Sequence, residues 1–224
     1  GVKMGRQDNI EIFEDTQRLY GSNERLISAI KNSSATQECF TGTGRHWYGP
    51  EHRIYQKPAR IVLSPKRTLE AAAPYAYAGK KVCVLNFASA TNPGGGVIKG
   101  SSAQEEAICR CSTLYPNLKE QPMWNQFYAP HRRAHDPLHN DDCIYTPGVV
   151  VFKSDTDYPQ LLPEEKWYSV NVLTCAAPNL RERPSNGMNS GDGDDAVHIS
   201  REKLQALHEK RMRKVLEIAW AKGN

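Results

Sequence analysis

Residues Lys81 to Phe87 (KVCVLNF) form an almost continuous apolar run. Such a run is stable as a strand only if both of its faces are covered, as in a sheet sandwiched between helices. Directly behind it lies Ala88 to Gly100, rich in Gly, Ser and Asn, and from Ser102 to Leu114 the pattern turns helical. Strand, glycine loop and helix in that order are the unit of an α/β domain whose ligand loops sit at the carboxyl edge of the sheet.

The rest of the chain extends this reading. Asn9 is placed to cap a first helix carrying Ile10, Phe13 and Leu19 and ending at Gly21, and a short second helix follows around Glu24 to Ile30. Cys39 to Lys57 reads as loop with at most one short strand. Arg60 to Leu63 is a short β-rich run, and Leu69 to Tyr77 is Ala-rich and broken by Pro74. Asn117 to Asp142 has no clear period and reads as an irregular surface excursion. Cys143 to Phe152 and Tyr168 to Thr174 read as strands, the first with Pro147 and Gly148 at its start or at a bend. Pro184 to Asp195 is a Gly-rich acidic loop. Leu204, Leu207, Met212, Val215, Leu216 and Ala219 then mark a long amphipathic helix closed by Gly223.

With 224 residues, the chain suits one domain rather than two. Lys plus Arg (29) against Asp plus Glu (25) leaves +4, which suits a small anionic ligand and is too mild for a dedicated nucleic-acid binder. No apolar run of about eighteen residues is present, and the charged first residues are followed by no apolar stretch, so the expectation is a cytoplasmic protein without a signal peptide. Six scattered cysteines in a chain of this size read as reduced, mostly buried thiols.

Asn92-Pro93-Gly94-Gly95-Gly96-Val97-Ile98 follows the buried strand, where glycines let an oxyanion approach the backbone with no Cβ in the way; a plain tight turn is the alternative. No Lys-Ser/Thr follows, and GxGxxG is not matched. Ser102 with Glu105 three residues on forms a capping-box pattern, which accounts for Glu105 but not for Glu106. The helix dipole favours an ionised Glu106, so acid chemistry there requires burial and a nearby diphosphate to hold the proton on.

Weaker signals are Arg45-His46-Trp47-Tyr48 as a stacking cluster, His131, His135 and His139 at i, i+4, i+8, and Asp192, Asp194 and Asp195 as half a calcium loop. The histidines read as a solvated basic loop and the aspartates as a solvated acidic one. Cys109 and Cys111 read as packed thiols rather than nucleophiles.

Asn86 to Gly96 together with Ala103-Gln104-Glu105-Glu106 resembles the GGG…QEE signature of poly(ADP-ribose) glycohydrolases. Ile108 to Tyr115 and Ile144 to Phe152 look like the bacterial-type branch of that family. The resemblance implies a macrodomain: a three-layer α/β/α domain with a mixed, mostly parallel central sheet, spanning residues 1–224, with the helices of residues 1–38 as an extension and the family's C-terminal strand, loop and helix missing. It implies Glu106 as general acid and Glu105 as holder of the scissile ribose hydroxyls. Gly94, Gly95, Gly96, Val97 and Ile98 would cradle the diphosphate, Asn92 would contact the distal ribose with Ser89 as a competing match, and Gln104 would join the substrate-binding set. No metal and no cofactor are implied.

The implied substrate is ADP-ribose or poly(ADP-ribose), and the implied partners are ADP-ribosylated proteins, with no membrane and no direct nucleic-acid binding. Two other readings stand beside the polymer hydrolase. One is a non-catalytic ADP-ribose reader. The other is a hydrolase of mono-ADP-ribosylated protein or nucleic acid.

Overall fold

The computed structural model describes residues 5–42, 56–180 and 198–224. In chain order these form α1 (Arg6–Ser22), α2 (Glu24–Thr36), β1 (Glu38–Phe40), α3 (Thr68–Tyr77), β2 (Cys83–Ala88), α4 (Gln104–Cys111), α5 (Leu114–Leu118), α6 (Gln121–Met123), a π-helix (Trp124–Tyr128), α7 (Ala129–Ala134), β3 (Cys143–Val151), β4 (Tyr168–Ala176) and α8 (Arg201–Ala221). The sequence-level ideas about Arg45 to Tyr48 and about Asp192, Asp194 and Asp195 lie outside the described residues.

The four strands make one mixed sheet in the order β1-β3-β4-β2. β2 runs parallel to β4, whereas β3 is antiparallel to both β1 and β4. The expectation of a mostly parallel sheet is therefore corrected: two of these three pairings are antiparallel. An apolar run demands cover on both faces but carries no information on the direction of its neighbour.

The cover is present. Val84 of β2, Ile144, Val149 and Val151 of β3, and Val170 and Val172 of β4 pack with Leu69 of α3, Ile108 of α4 and Phe13 of α1 in one cluster. Leu85, Cys143, Tyr145, Leu173 and Cys175 pack under Val215 and Ile218 of α8 on the other face. Within β3, Thr146 faces Val172 and Val149 faces Val170, so one extra residue enters at Pro147-Gly148. This bulge keeps Val149 and Val151 on the face that Ile144 occupies, although they differ from it in parity.

Several local expectations are revised. α1 begins three residues before Asn9, which lies buried and donates from Nδ2 to Gly100 O at 2.9 Å instead of capping. Residues 60–63 form no strand; Ile61 and Leu63 are 88% and 95% exposed, because β propensity without a neighbouring ladder fixes nothing. Residues 121–134 are helical with buried Phe127, Tyr128 and His131, not a loose excursion. Leu216 of α8 is exposed. All six cysteines are unpaired and four are buried.

The anchor of α8 is Arg211, 1% exposed. Its Nε donates to Asp141 Oδ1 at 3.0 Å, Nη1 to Ala176 O at 3.1 Å, and Nη2 to Leu138 O. Lys210 Nζ also reaches Asp141 Oδ2, at 3.2 Å from the surface side, so removing the buried Arg211 leaves Asp141 only partly compensated and costs up to about 3–5 kcal/mol. Arg211→Met is expected to lower the midpoint of thermal unfolding by roughly 10 °C, measured by circular dichroism; an unchanged melt would refute the anchor.

Candidate active site

The glycine loop leaves the carboxyl end of β2 and is shaped before any ligand arrives. Ser89 Oγ accepts from the N–H groups of Thr91 and Asn92 at 3.4 and 3.1 Å. The N–H groups of Gly95 and Val97 donate to Asn92 O and Gly94 O, at 2.9 and 3.3 Å. From outside, Arg6 Nη1 and Asn9 Nδ2 of α1 hold the carbonyls of Lys99 and Gly100, and Arg110 Nη1 holds that of Ser101 at 2.6 Å. Val97 is buried and Ile98 is exposed at the rim.

Ser102 does not cap α4. Ala103 is its N-cap, and no side-chain cap bond forms. This frees Glu105 to turn inward, where it and Glu106 are 3% and 7% exposed. Glu106 Oε1 accepts the Gly96 N–H at 3.0 Å. Glu105 Oε1 accepts the Ser89 N–H at 3.0 Å, and its Oε2 accepts from Asn86 Nδ2 at 3.2 Å. Asn86, the one polar residue inside the apolar strand, also donates to Thr174 Oγ1 on β4.

Both carboxylates lean on Gly95. With φ at +61°, a Cβ there would stand 2.8 Å from Glu106 Oε1 and 3.0 Å from Glu105 Oε1. Conformation and contact both demand glycine at this position.

Burial pushes the Glu105 carboxyl up to about 8, with the neighbouring Glu106 adding to the rise and the Ser89 and Asn86 hydrogen bonds opposing it. Glu105 thus keeps a proton at neutral pH and offers one O–H donor besides its acceptor positions. Burial raises the Cys109 thiol well above its ordinary value, which suits a packing residue rather than a nucleophile.

Gln104 serves the strand. Its Oε1 accepts from Phe87 N–H, and its Nε2 donates to Leu85 O and Thr68 Oγ1, all near 3 Å. His131 is buried between Phe127 O and Asn140 Oδ1 rather than solvated. His135 and His139 sit at φ 48° and 58°, so the three histidines share no helical face. Among the described residues no group of three His, Cys, Asp or Glu side chains is arranged to hold a metal ion.

Asn86 and Arg132 are site residues that motif reading passed over. A lone Asn in an apolar strand was a readable signal for the first. Arg132, which bonds Thr91 O and Asn92 Oδ1, had none, because its partners lie some forty residues away.

A mixed sheet with a glycine loop at the carboxyl end of β2, and two buried glutamates seated on that loop, brings backbone N–H groups and carboxyl groups together at one end of an α/β fold. The family model "Microbial-type PARG, catalytic domain" matches residues 7–154, a span that holds the loop and both glutamates. The chain belongs to this family and is a hydrolase of the poly(ADP-ribose) glycohydrolase (PARG) type. PARG from Thermomonospora curvata bound to the inhibitor ADP-HPD is 30% identical, with a TM-score of 0.74 over 97% of this chain and 76% of that one. PARG from Deinococcus radiodurans in complex with ADP-ribose is 28% identical, with a TM-score of 0.62 over 85% of this chain and 71% of that one. No curated protein matches the chain. No helix among the described residues is long and apolar enough to cross a membrane.

Two outcomes follow from the Gly95 contacts and the Glu105 environment. Gly95→Ala should cost roughly 1–2 kcal/mol from backbone strain and abolish most hydrolysis by displacing both carboxylates, as read by paired melting and activity assays. A carboxyl protonated up to about pH 8 when folded, but only to about pH 4 when unfolded, loses stability for the fold as pH rises between those values. The melting temperature of the parent should therefore fall relative to that of Glu105→Gln from pH 5 to pH 8; parallel curves would contradict the assignment.

Proposed function

We propose that the chain hydrolyses the ribose–ribose O-glycosidic bond of poly(ADP-ribose) and releases ADP-ribose, with Glu106 as the single general acid and base. The observation that carries this reading is the placement of the buried Glu106 carboxyl group against the glycine loop, Oε1 3.0 Å from the Gly96 nitrogen, beside the segment suited to a diphosphate. The diphosphate lies along Gly94, Gly95, Gly96, Val97 and Ile98, where missing side chains allow close approach. Asn92 meets the distal ribose; Ser89 Oγ is committed to shaping the loop, which favours Asn92 over Ser89 for that contact.

In the first step Glu106 gives its proton to the leaving ribose oxygen as the glycosidic bond breaks, leaving an oxocarbenium-like sugar. Water then attacks that carbon and passes a proton to the Glu106 carboxylate, which restores the acid. Inverting and retaining glycosidases divide these duties between two separated carboxyl groups; here Glu105, protonated at neutral pH and held by Ser89 and Asn86, orients the ribose hydroxyls. Gln104 contributes by holding β2 and the start of α4 in register, and the buried Phe13 and Leu26 support treating α1 and α2 as working parts of one domain of residues 1–224. ADP-ribosylated proteins are the partners this activity implies.

Glu106→Gln should release ADP-ribose from purified poly(ADP-ribose) about 10²–10⁴-fold more slowly than the parent while still binding ADP-ribose in calorimetry. Equal rates would remove Glu106 as the acid. Binding without turnover in the parent itself would make the protein a reader, and turnover of mono-ADP-ribosylated substrate alone would make it a mono-ADP-ribosyl hydrolase.

A further inference from the structure

The segment that sequence alone renders as an irregular excursion supplies a wall behind the glycine loop. The π-helix Trp124–Tyr128 leads into α7 and delivers Arg132 to the loop. π-Helical turns are rare and recur at functional sites. Arg132 Nε donates to Thr91 O at 2.7 Å and Nη2 to Asn92 Oδ1 at 2.7 Å, so one guanidinium grips two consecutive loop residues. The guanidinium lies 4.8 Å from the centroid of the Trp124 ring, which stacks on buried Tyr128 with an interplanar angle of 23°.

A guanidinium has donors and no acceptor. The Asn92 amide must therefore turn its oxygen toward Arg132, which leaves the Nδ2 group facing away with two N–H donors. Among the described residues no atom accepts from Nδ2. The planar fork also matters: it spans a backbone carbonyl and a side-chain oxygen at once, which a single ammonium group cannot do in the same geometry.

We propose that Arg132 is a positioning residue that fixes the Asn92 amide as a donor-only contact, so that the occupant beside Asn92 must present an oxygen acceptor such as a ribose hydroxyl or ether. This rests on the ADP-ribose reading of the site. Arg132 acts through Asn92, and the Trp124–Tyr128 stack holds it in place.

The test compares ADP-ribose binding by calorimetry for the parent, Arg132→Lys, Arg132→Met, Asn92→Ala, Asn92→Asp and the double variant Asn92→Ala with Arg132→Met. Both arginine variants should weaken binding about tenfold, the lysine variant with a melting temperature close to that of the parent. Asn92→Asp should weaken binding at least as much without loss of stability, since it keeps the Arg132 contact but removes the donors. The double variant should bind within about twofold of Asn92→Ala, because coupled residues are not additive.

Parental affinity in Arg132→Lys would show that charge alone suffices and would overturn the proposal, as would additive losses in the double variant. A parent that binds no ADP-ribose would instead refute the functional reading. The positioning claim is then decided in ¹⁵N-labelled, ligand-free protein by exchange with water of the Arg132 Nη2–H protons, whose acceptor is Asn92 Oδ1: slow in the parent and faster in Asn92→Ala if the grip exists, equally fast in both if it does not.

Discussion

The site depends on the burial of two adjacent carboxyl groups against a glycine that has no side chain to resist them. Charged groups leave water only at a high cost unless hydrogen bonds or a retained proton offset it, and here both devices operate. Glu106 receives a backbone N–H from Gly96, and Glu105 receives one from Ser89 and a side-chain amide from Asn86; burial also raises the Glu105 carboxyl to about 8. These contacts tie the end of β2, the glycine loop and the first turn of α4 into one piece. None of the three could move alone without stranding a buried oxygen or N–H.

That constraint explains the ties that surround it. The loop is gripped from α1 through Arg6 and Asn9, from α4 through Arg110, and from α7 through Arg132. The N–H groups of Thr91, Asn92, Gly95, Val97, Lys99 and Gly100 have acceptors within the loop, so much of its shape does not await a ligand. A preformed loop spends little ordering entropy on binding, and fixed dipoles need no reorganisation when charge comes to lie beside them.

Much of this was legible in the residues. Lys81 to Phe87 announced a strand covered on both faces, the three glycines announced a loop built for close approach, and their resemblance to a known signature pointed to Glu105 and Glu106. What escaped was non-local. The antiparallel course of β3 beside β4 leaves no local mark, and Arg60 to Leu63 has strand chemistry but no partner strand. Trp124 to Ala134 lacks a 3.6-residue rhythm because a π-turn and Pro130 interrupt it, and its importance comes from touching Thr91 and Asn92. The Ser102–Glu105 capping pattern misled for a related reason: a local bond was available, but Glu105 is held more firmly by Ser89 and Asn86 across the fold. Arg211 was hidden in the same way, since a charged residue on an amphipathic helix reads as solvated until Asp141 is seen beneath it.

Gln104 has a consequence of another kind. Val82 O, just before β2, accepts from Asn171 N–H of β4, and Ala88 O from Ala177 N–H just past β4, so Leu85 O and Phe87 N–H point away from β4 to the other border of the sheet among the described residues, where the Gln104 amide occupies both. A side-chain amide has the same donor and acceptor as a peptide unit, so Gln104 counterfeits one residue of a neighbouring strand and seals the edge where it would otherwise recruit another chain. The two residues that follow it are the buried glutamates. Any strand that adds to this border must first evict Gln104, and in doing so it tugs on the backbone that seats Glu105 and Glu106, so recruitment at the edge and the integrity of the acid pair are mechanically linked.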